Sequence, residues 1–361
     1  MCENYADANE ENRMRRFDYS FLKNGSVPAD LTNLLTGIYS MKSLDEVRKT
    51  KYSPIYTELE RIAKVQSVKG SNAIEGILTT DERIKAIVNQ NSAPLNHNEQ
   101  EIAGYRDALS LVHTRHDILH FNESTIIDLH NILLREAKPE SAGHYKESDN
   151  VIMEVRADGT RRVRFQPIPA SETKEAMEQL SLAYMEARDQ FHANPLLLIP
   201  CVILDFLCIH PFADGNGRMS RLLTLLLLYK SGFDAGKYIS FEEQINKEKG
   251  LYYEALRKSS VDWHENKNDY FYFVGNFLLT LFECYRELDK RFATVNSGKV
   301  NKTSRIEATV LNSIVPISKK EICDILPDVS QTTVEYVLSK MLKEGKIAKL
   351  GNTVKTRYYR K

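Results

Sequence analysis

Residues 195–232 read PLLLIPCVILDFLCIHPFADGNGRMSRLLTLLLLYKSG. Two apolar runs, Leu196 to Ile209 and Met219 to Tyr229, flank a short polar loop from His210 to Arg218. Each run has helix length and is apolar on nearly every side, which predicts two helices buried all round. A polar loop joining two core helices is thereby placed at the mouth of the interior. Gly215, Asn216 and Gly217 stand immediately before the second helix. Glycines there let backbone N–H groups converge, and the helix N-terminus adds partial positive charge, so an anion site is expected. Arg218 and Arg221 follow three residues apart on one face, placed to meet phosphate oxygens. His210 and Asp214 add a base and a carboxylate suited to a hard cation.

The segment His210 to Arg221, HPFADGNGRMSR, resembles the HPFx(D/E)GNGRxxR motif of the Fic family of adenylyltransferases at every defining position. The resemblance implies transfer of AMP from ATP to a Tyr, Thr or Ser hydroxyl of a protein. In that scheme His210 is the base that takes the hydroxyl proton, and Asp214 holds Mg²⁺ against the phosphates. The backbone of Gly215 to Gly217 with Asn216 forms the anion hole, Arg218 binds the phosphates, Arg221 reaches the γ-phosphate, and Phe212 anchors the loop in the core. The implied fold is mainly α, a Fic-type helical bundle with a small β-hairpin flap.

Upstream, Ile55, Leu59, Ile62, Ala63 and Val65 to Val68 recur near a helical period, with Pro54 close to the start. That helix runs into SNAIEG, residues 71–76, where Gly76 ends it. The segment resembles the (S/T)xxxE(G/N) inhibitory motif of Fic proteins through Ser71, Glu75 and Gly76. Glu75 is expected to make a bidentate ion pair with Arg221 and to occupy the place of the γ-phosphate. Glu99 to Leu119 reads as a helix, and Asn122 caps the next, Glu123 to Arg135. His113, His116 and His120 have a helical spacing but no further metal ligand nearby, so surface or capping histidines are expected.

Between Ala142 and Pro169 the helical text breaks. VIMEVRADGTRRVRF holds two β-rich runs around Ala157-Asp158-Gly159-Thr160, a hairpin pattern. The resemblance makes residues 150–166 a flap that holds the protein substrate by strand addition. Lys146 stands where the family often has arginine. Arg156, Arg161, Arg162 and Arg164 make the hairpin basic, which fits either an acidic target segment or a solvated surface. Helices follow at Ser171 to Asn194, Ser240 to Ser259 and Phe271 to Arg291. Tyr252 and Tyr253 resemble the paired aromatics that Fic proteins place near adenine, though aromatic packing on a helix explains them equally.

Four regions are expected: residues 1–116 carrying the inhibitory motif, a catalytic core at 117–294, a linker at 295–303 and a C-terminal domain at 304–361. The last reads as three helices, Ile306 to Ile314, Lys319 to Leu326 and Ser330 to Glu344, then a hairpin around Gly351-Asn352. That order resembles a winged helix-turn-helix domain with Gln331 to Leu342 as recognition helix. Residues 300–361 carry 12 Lys and Arg against 6 Asp and Glu, with Lys346, Lys349, Lys355, Arg357, Arg360 and Lys361 crowding the wing. Phosphate contact and protein docking are both compatible with that charge.

The whole chain of 361 residues balances 49 basic against 49 acidic side chains, which gives no global pull toward nucleic acid or membrane. Five cysteines without a CxxC pair read as reduced core thiols, and no apolar run is long enough to span a bilayer. A cytoplasmic protein without membrane contact is expected, pairing as a homodimer and able to modify itself. Two other functions stay open. Glu75 positions a water for removal of AMP from a modified protein, or the C-terminal domain makes the chain a DNA-binding regulator with the Fic body as scaffold. Some relatives use other nucleotides or phosphocholine donors; Asp214 and Gly217-Arg218 favour ATP.

Overall fold

The computed structural model describes residues 15–155, 159–296, 302–311, 313, 316–326, 329–351 and 356–361. Its helices are α1 (Phe21–Asn24), α2 (Ala29–Lys51), α3 (Ser53–Ile74), α4 (Asp81–Gln90), α5 (His97–Arg115) and α6 (Glu123–Leu134). The hairpin strands β1 (Ile152–Val155) and β2 (Arg161–Phe165) come next. Then follow α7 (Thr173–Asp189), α8 (Pro195–Ile209), α9 (Asn216–Lys230), α10 (Phe241–Lys247), α11 (Lys249–Ser259) and α12 (Phe271–Asn296). The expected helix from Ser240 to Ser259 is thus two, parted at Glu248, whose backbone (φ −113°, ψ 34°) leaves the helical region. Contacts divide the chain into two units: Met1–Leu35, Ser67–Asp234 and Glu242–Thr280 in one, Thr36–Gln66, Ala235–Phe241 and Leu281–Lys361 in the other.

In the first unit α8 and α9 form the centre. α7 packs on α8, α5 and α6 on α9, and α8 on α9. Thirteen residues of each helix are buried, so their uniform apolarity is the consequence of having neighbours on every side. Asn194 caps α8 by accepting the Leu196 N–H at 3.0 Å, with Pro195 in the first turn where no donor is missed. Pro200 does not interrupt the run: α8 continues through it to Ile209. The packing of α8 on α7 and α9 holds a helix that would be marginal alone. A buried carboxylate, Asp205, ties this helix outward. It accepts from Tyr19 Oη (2.7 Å), Trp263 Nε1 (2.6 Å) and Tyr270 Oη (2.9 Å), and pairs with Arg15 at 3.3 Å. Burial pushes the Asp205 carboxyl up, against the opposing pull of Arg15.

His113 departs from the surface expectation. It is buried, with Nε2 3.2 Å from Tyr229 Oη, because α5 turns this face toward α9.

The second unit holds α13 (Lys302–Leu311), β3 (Ile317–Ser318), α14 (Lys319–Ile325), α15 (Gln331–Lys343), β4 (Ile347–Leu350) and β5 (Arg357–Arg360). Ile306, Ile322, Val334, Leu338, Met341 and Ile347 share one apolar core. Strand order is β3-β5-β4, all antiparallel, so a two-residue strand that the sequence pattern did not reveal extends the expected hairpin. Asn352 and Lys355 lie outside the described residues, as do 297–301 of the expected linker. Several basic groups of this unit are already engaged: Arg357 and Arg61 both meet Glu321 (3.0 and 2.7 Å), and Lys346 meets Glu344 (2.7 Å). Of the described residues, Cys201, Cys208, Cys284 and Cys323 form no disulfide, and no helix is long and apolar enough to cross a membrane.

Candidate active site

His210 closes α8 in the left-handed region (φ 52°, ψ 60°), its N–H donating to the Phe206 carbonyl at 3.0 Å. Its Nδ1 lies 3.2 Å from the Leu207 carbonyl. A carbonyl only accepts, so Nδ1 carries the proton and Nε2 keeps its lone pair. Burial brings the ring's pKa from 6.5 down to about 4, so it is neutral near pH 7.

The loop beyond is tied from both sides. Asn216 accepts the Phe212 N–H at 3.0 Å and donates to the Phe212 carbonyl at 2.7 Å. Its side chain therefore closes the loop. Lys146 donates from its backbone to Pro211 (2.9 Å) and from Nζ to the Ile209 carbonyl (3.1 Å) and Asn150 Oδ1 (2.9 Å). Asn150 in turn donates to the carbonyls of His210 (3.3 Å) and Phe212 (3.1 Å). Lys146 is buried, and burial lowers its pKa to about 8.

Phe212 is fully buried beneath His130, the two rings stacked at 3.6 Å and 6°. His130 Nδ1 accepts from Gly143 N–H (3.0 Å), which leaves Nε2–H to donate to the Asp214 carbonyl (3.0 Å). Desolvation brings its pKa to about 4. Sequence reading missed His130, Asn150 and the part of Lys146. A lone histidine on an apolar helix gives no hint that its ring carries a loop 84 residues further along the chain.

Gly215 turns at φ +78°, and a Cβ there would press on Leu133, Leu134 and His130. Gly217 has a different reason: a Cβ would come within 2.3 Å of Glu75 Oε1. The carboxylate therefore sits against the first turn of α9, at its positive end. Arg221, 2% exposed, donates from Nη2 to Glu75 Oε1 at 2.8 Å and to the Ser71 carbonyl at 3.0 Å, and from Nε to Ser71 Oγ at 2.8 Å. The pair is single-pronged, not the expected bidentate one, because Ser71 occupies Nε and shares Nη2. Gly76 follows at φ +80°, ending the helical path.

Asp214 is taken up by Lys138, and Arg218 approaches it at 3.7 Å. Arg218 is buried and also meets Glu101 at 2.6 Å. The approach lies outside hydrogen-bond alignment, since Arg218 Nη1 and Glu101 Oε2 count no hydrogen-bond partner. Lys138 lowers the Asp214 pKa against the opposing effect of burial. Among the described residues no three His, Cys, Asp or Glu converge as a metal set. A nucleotide-borne Mg²⁺ does not need one: it takes a single carboxylate, water and phosphate oxygens. Asp214, 40% exposed at its side chain in a niche with Gly215 to Arg218, would supply that carboxylate, so the residues fit the ion.

A cavity of about 560 Å³ brings His210, Glu75, Gly217, Arg221, Tyr252 and Tyr253 together, with the hairpin as one wall. Tyr252 is buried and Tyr253 partly exposed, ring centroids 5.5 Å apart.

The fold and cavity define an α-helical protein with a glycine turn at a helix N-terminus and a neutral imidazole beside it. Residues 120–228 match the Fic/DOC family, and the chain carries a domain of that family. It is similar to a protein adenylyltransferase Fic of Nematostella vectensis, 28% identical over 207 residues, which are 55% of this chain and 44% of that protein. A protein adenylyltransferase fic-1 of Caenorhabditis elegans is 24% identical over 210 residues, 55% of this chain and 38% of that one. The chain thus spans less than half the length of these curated relatives. A Fic family protein from Desulfovibrio desulfuricans G20 has a similar fold at 19% identity, with a TM-score of 0.60, covering 93% of this chain and 97% of that one.

Proposed function

We propose that this protein transfers AMP from ATP to a hydroxyl side chain of a protein, and that Glu75 restrains the reaction. What carries the reading is the convergence of an unprotonated His210 Nε2, Gly217 in the first turn of α9 and Arg221 on one cavity. The names of the adenylyltransferase relatives support it. The hydroxyl oxygen attacks the α-phosphorus as the bond to the β-phosphate oxygen breaks. His210 Nε2 takes the hydroxyl proton, and pyrophosphate leaves toward the N–H groups of α9. Asp214 would hold Mg²⁺, which neutralises phosphate charge when bound. Glu75 occupies the α9 end that the terminal phosphate needs, and Ser71 keeps Arg221 turned toward it. Tyr252 and Tyr253 line the space for adenine, and residues 150–166 take the target segment, with self-modification included.

The test is mass spectrometry after incubation with ATP and Mg²⁺. Glu75→Gly protein is expected to gain AMP mass on itself or on added protein, and Glu75→Gly/His210→Ala to lose about 10²–10⁴-fold of that rate. Equal rates in the two would remove His210 from the chemistry. Loss of AMP from a pre-modified protein by wild type alone would make Glu75 a participant in removal instead.

A further inference from the structure

The hairpin wall of the cavity holds a cation that the reading above leaves unused. Ile152 pairs with Phe165 and Met153 with Val163, so Arg164 is an extra residue on β2 without an opposite number. A bulge of this kind re-aims a side chain out of the alternation of its strand. Arg164 is turned into the cavity that His210, Gly217 and Arg221 also line. Its neighbours are neutralised: Arg162 by Glu154 (2.8 Å), Arg257 by Glu254 (2.6 Å) and Arg221 by Glu75 (2.8 Å). Among the described residues no carboxylate does the same for Arg164, and its Nη1 is buried with no hydrogen-bond partner. Burial pulls its pKa down, the mark of a guanidinium kept from water without an anion in contact.

We propose that Arg164 binds the phosphate lying next to His210, the one transferred, from the side opposite to α9. This rests on the reading that the cavity holds ATP. The leaving phosphates face the N-terminus of α9, the attacking hydroxyl comes past His210, and the remaining non-bridging oxygens face the hairpin. A guanidinium there completes the enclosure of charge and exists only because β2 has one residue more than its partner strand. The bulge thus makes the hairpin part of the nucleotide site as well as a wall for the target.

The experiment titrates ATP, AMP and adenosine, the last by competition, into Glu75→Gly protein and into Glu75→Gly/Arg164→Gln, with Mg²⁺ present. Removing a charge-assisted contact is expected to weaken AMP and ATP by about tenfold or more while adenosine changes less than about twofold. Arg164→Lys is expected to fall between, since it keeps the charge but not the fork. Equal AMP affinity with and without Arg164 overturns the proposal, and so does a loss of the same size for adenosine. Because adenosine binds the same cavity without phosphate, its unchanged affinity also certifies that the variant is folded. Nucleotide binding without AMP transfer by Glu75→Gly protein would remove the enzyme reading but leave the Arg164 comparison standing. Binding of none of the three would remove both.

Discussion

The cavity has two unlike walls. One is the α8–loop–α9 segment, where almost every side chain is buried and each loop carbonyl from Ile209 to Phe212 has a donor. The other is a two-stranded hairpin with Val151, Met153 and Val163 exposed. A pair of strands is marginal by itself, whereas the helical wall is fixed from several directions at once. On the proposed function the contrast teaches a division of labour: the groups proposed to react sit on the over-determined wall, and the surface proposed for a partner sits on the adaptable one.

The contrast can be broken by substitution. Phe212→Ala removes a ring enclosed by His130, Tyr145 and Phe206, and is expected to destabilise by about 3–5 kcal/mol in urea unfolding. A loss under about 1 kcal/mol would show the loop to be held by its hydrogen bonds alone. Acid should also find the helical wall first. His130 and His210 have folded pKa values near 4 against 6.5 unfolded, so the unfolded chain takes up protons earlier. Stability is expected to fall as pH drops from about 6.5 toward 4 and to level below, measured as melting temperature against pH. His130→Asn should flatten part of that slope; an unchanged slope would place the sensitivity elsewhere. At the other wall, Val163→Thr is expected to shift stability by no more than about 0.5 kcal/mol, the size of an ordinary surface change.

What the sequence could show follows the same line. The burial of α8 and α9 and the turn at Gly215 are local consequences of apolarity and glycine, so they are legible in twelve or fifteen residues. The meeting of Ser71, Glu75 and Arg221 across about 150 positions was reachable only because residues 71–76 resemble a known motif. No such help existed for Arg164. Its charge is visible in the sequence, but the bulge that singles it out depends on how β1 registers with β2. His113 and His130 were hidden for the reverse reason: a histidine's burial depends on which face of its helix meets a neighbour. Strand β3, two residues long, is defined by its partner β5 and has no pattern of its own.

The closeness of Glu75 to Gly217 has one more consequence. Arg221 is a cation enclosed in the core, where leaving it without a counter-charge would be costly, and Glu75 supplies that charge. With the carboxylate at the head of α9, Arg221 is already paired, and on the proposed function a phosphate that arrives there must evict a resident of its own sign. Occupancy is then an exchange of one anion for another and not a filling of a vacancy. On the same reading, replacing Glu75 would leave Arg221 without its carboxylate until nucleotide restores the balance, so the group proposed to resist the ligand also pairs a buried cation.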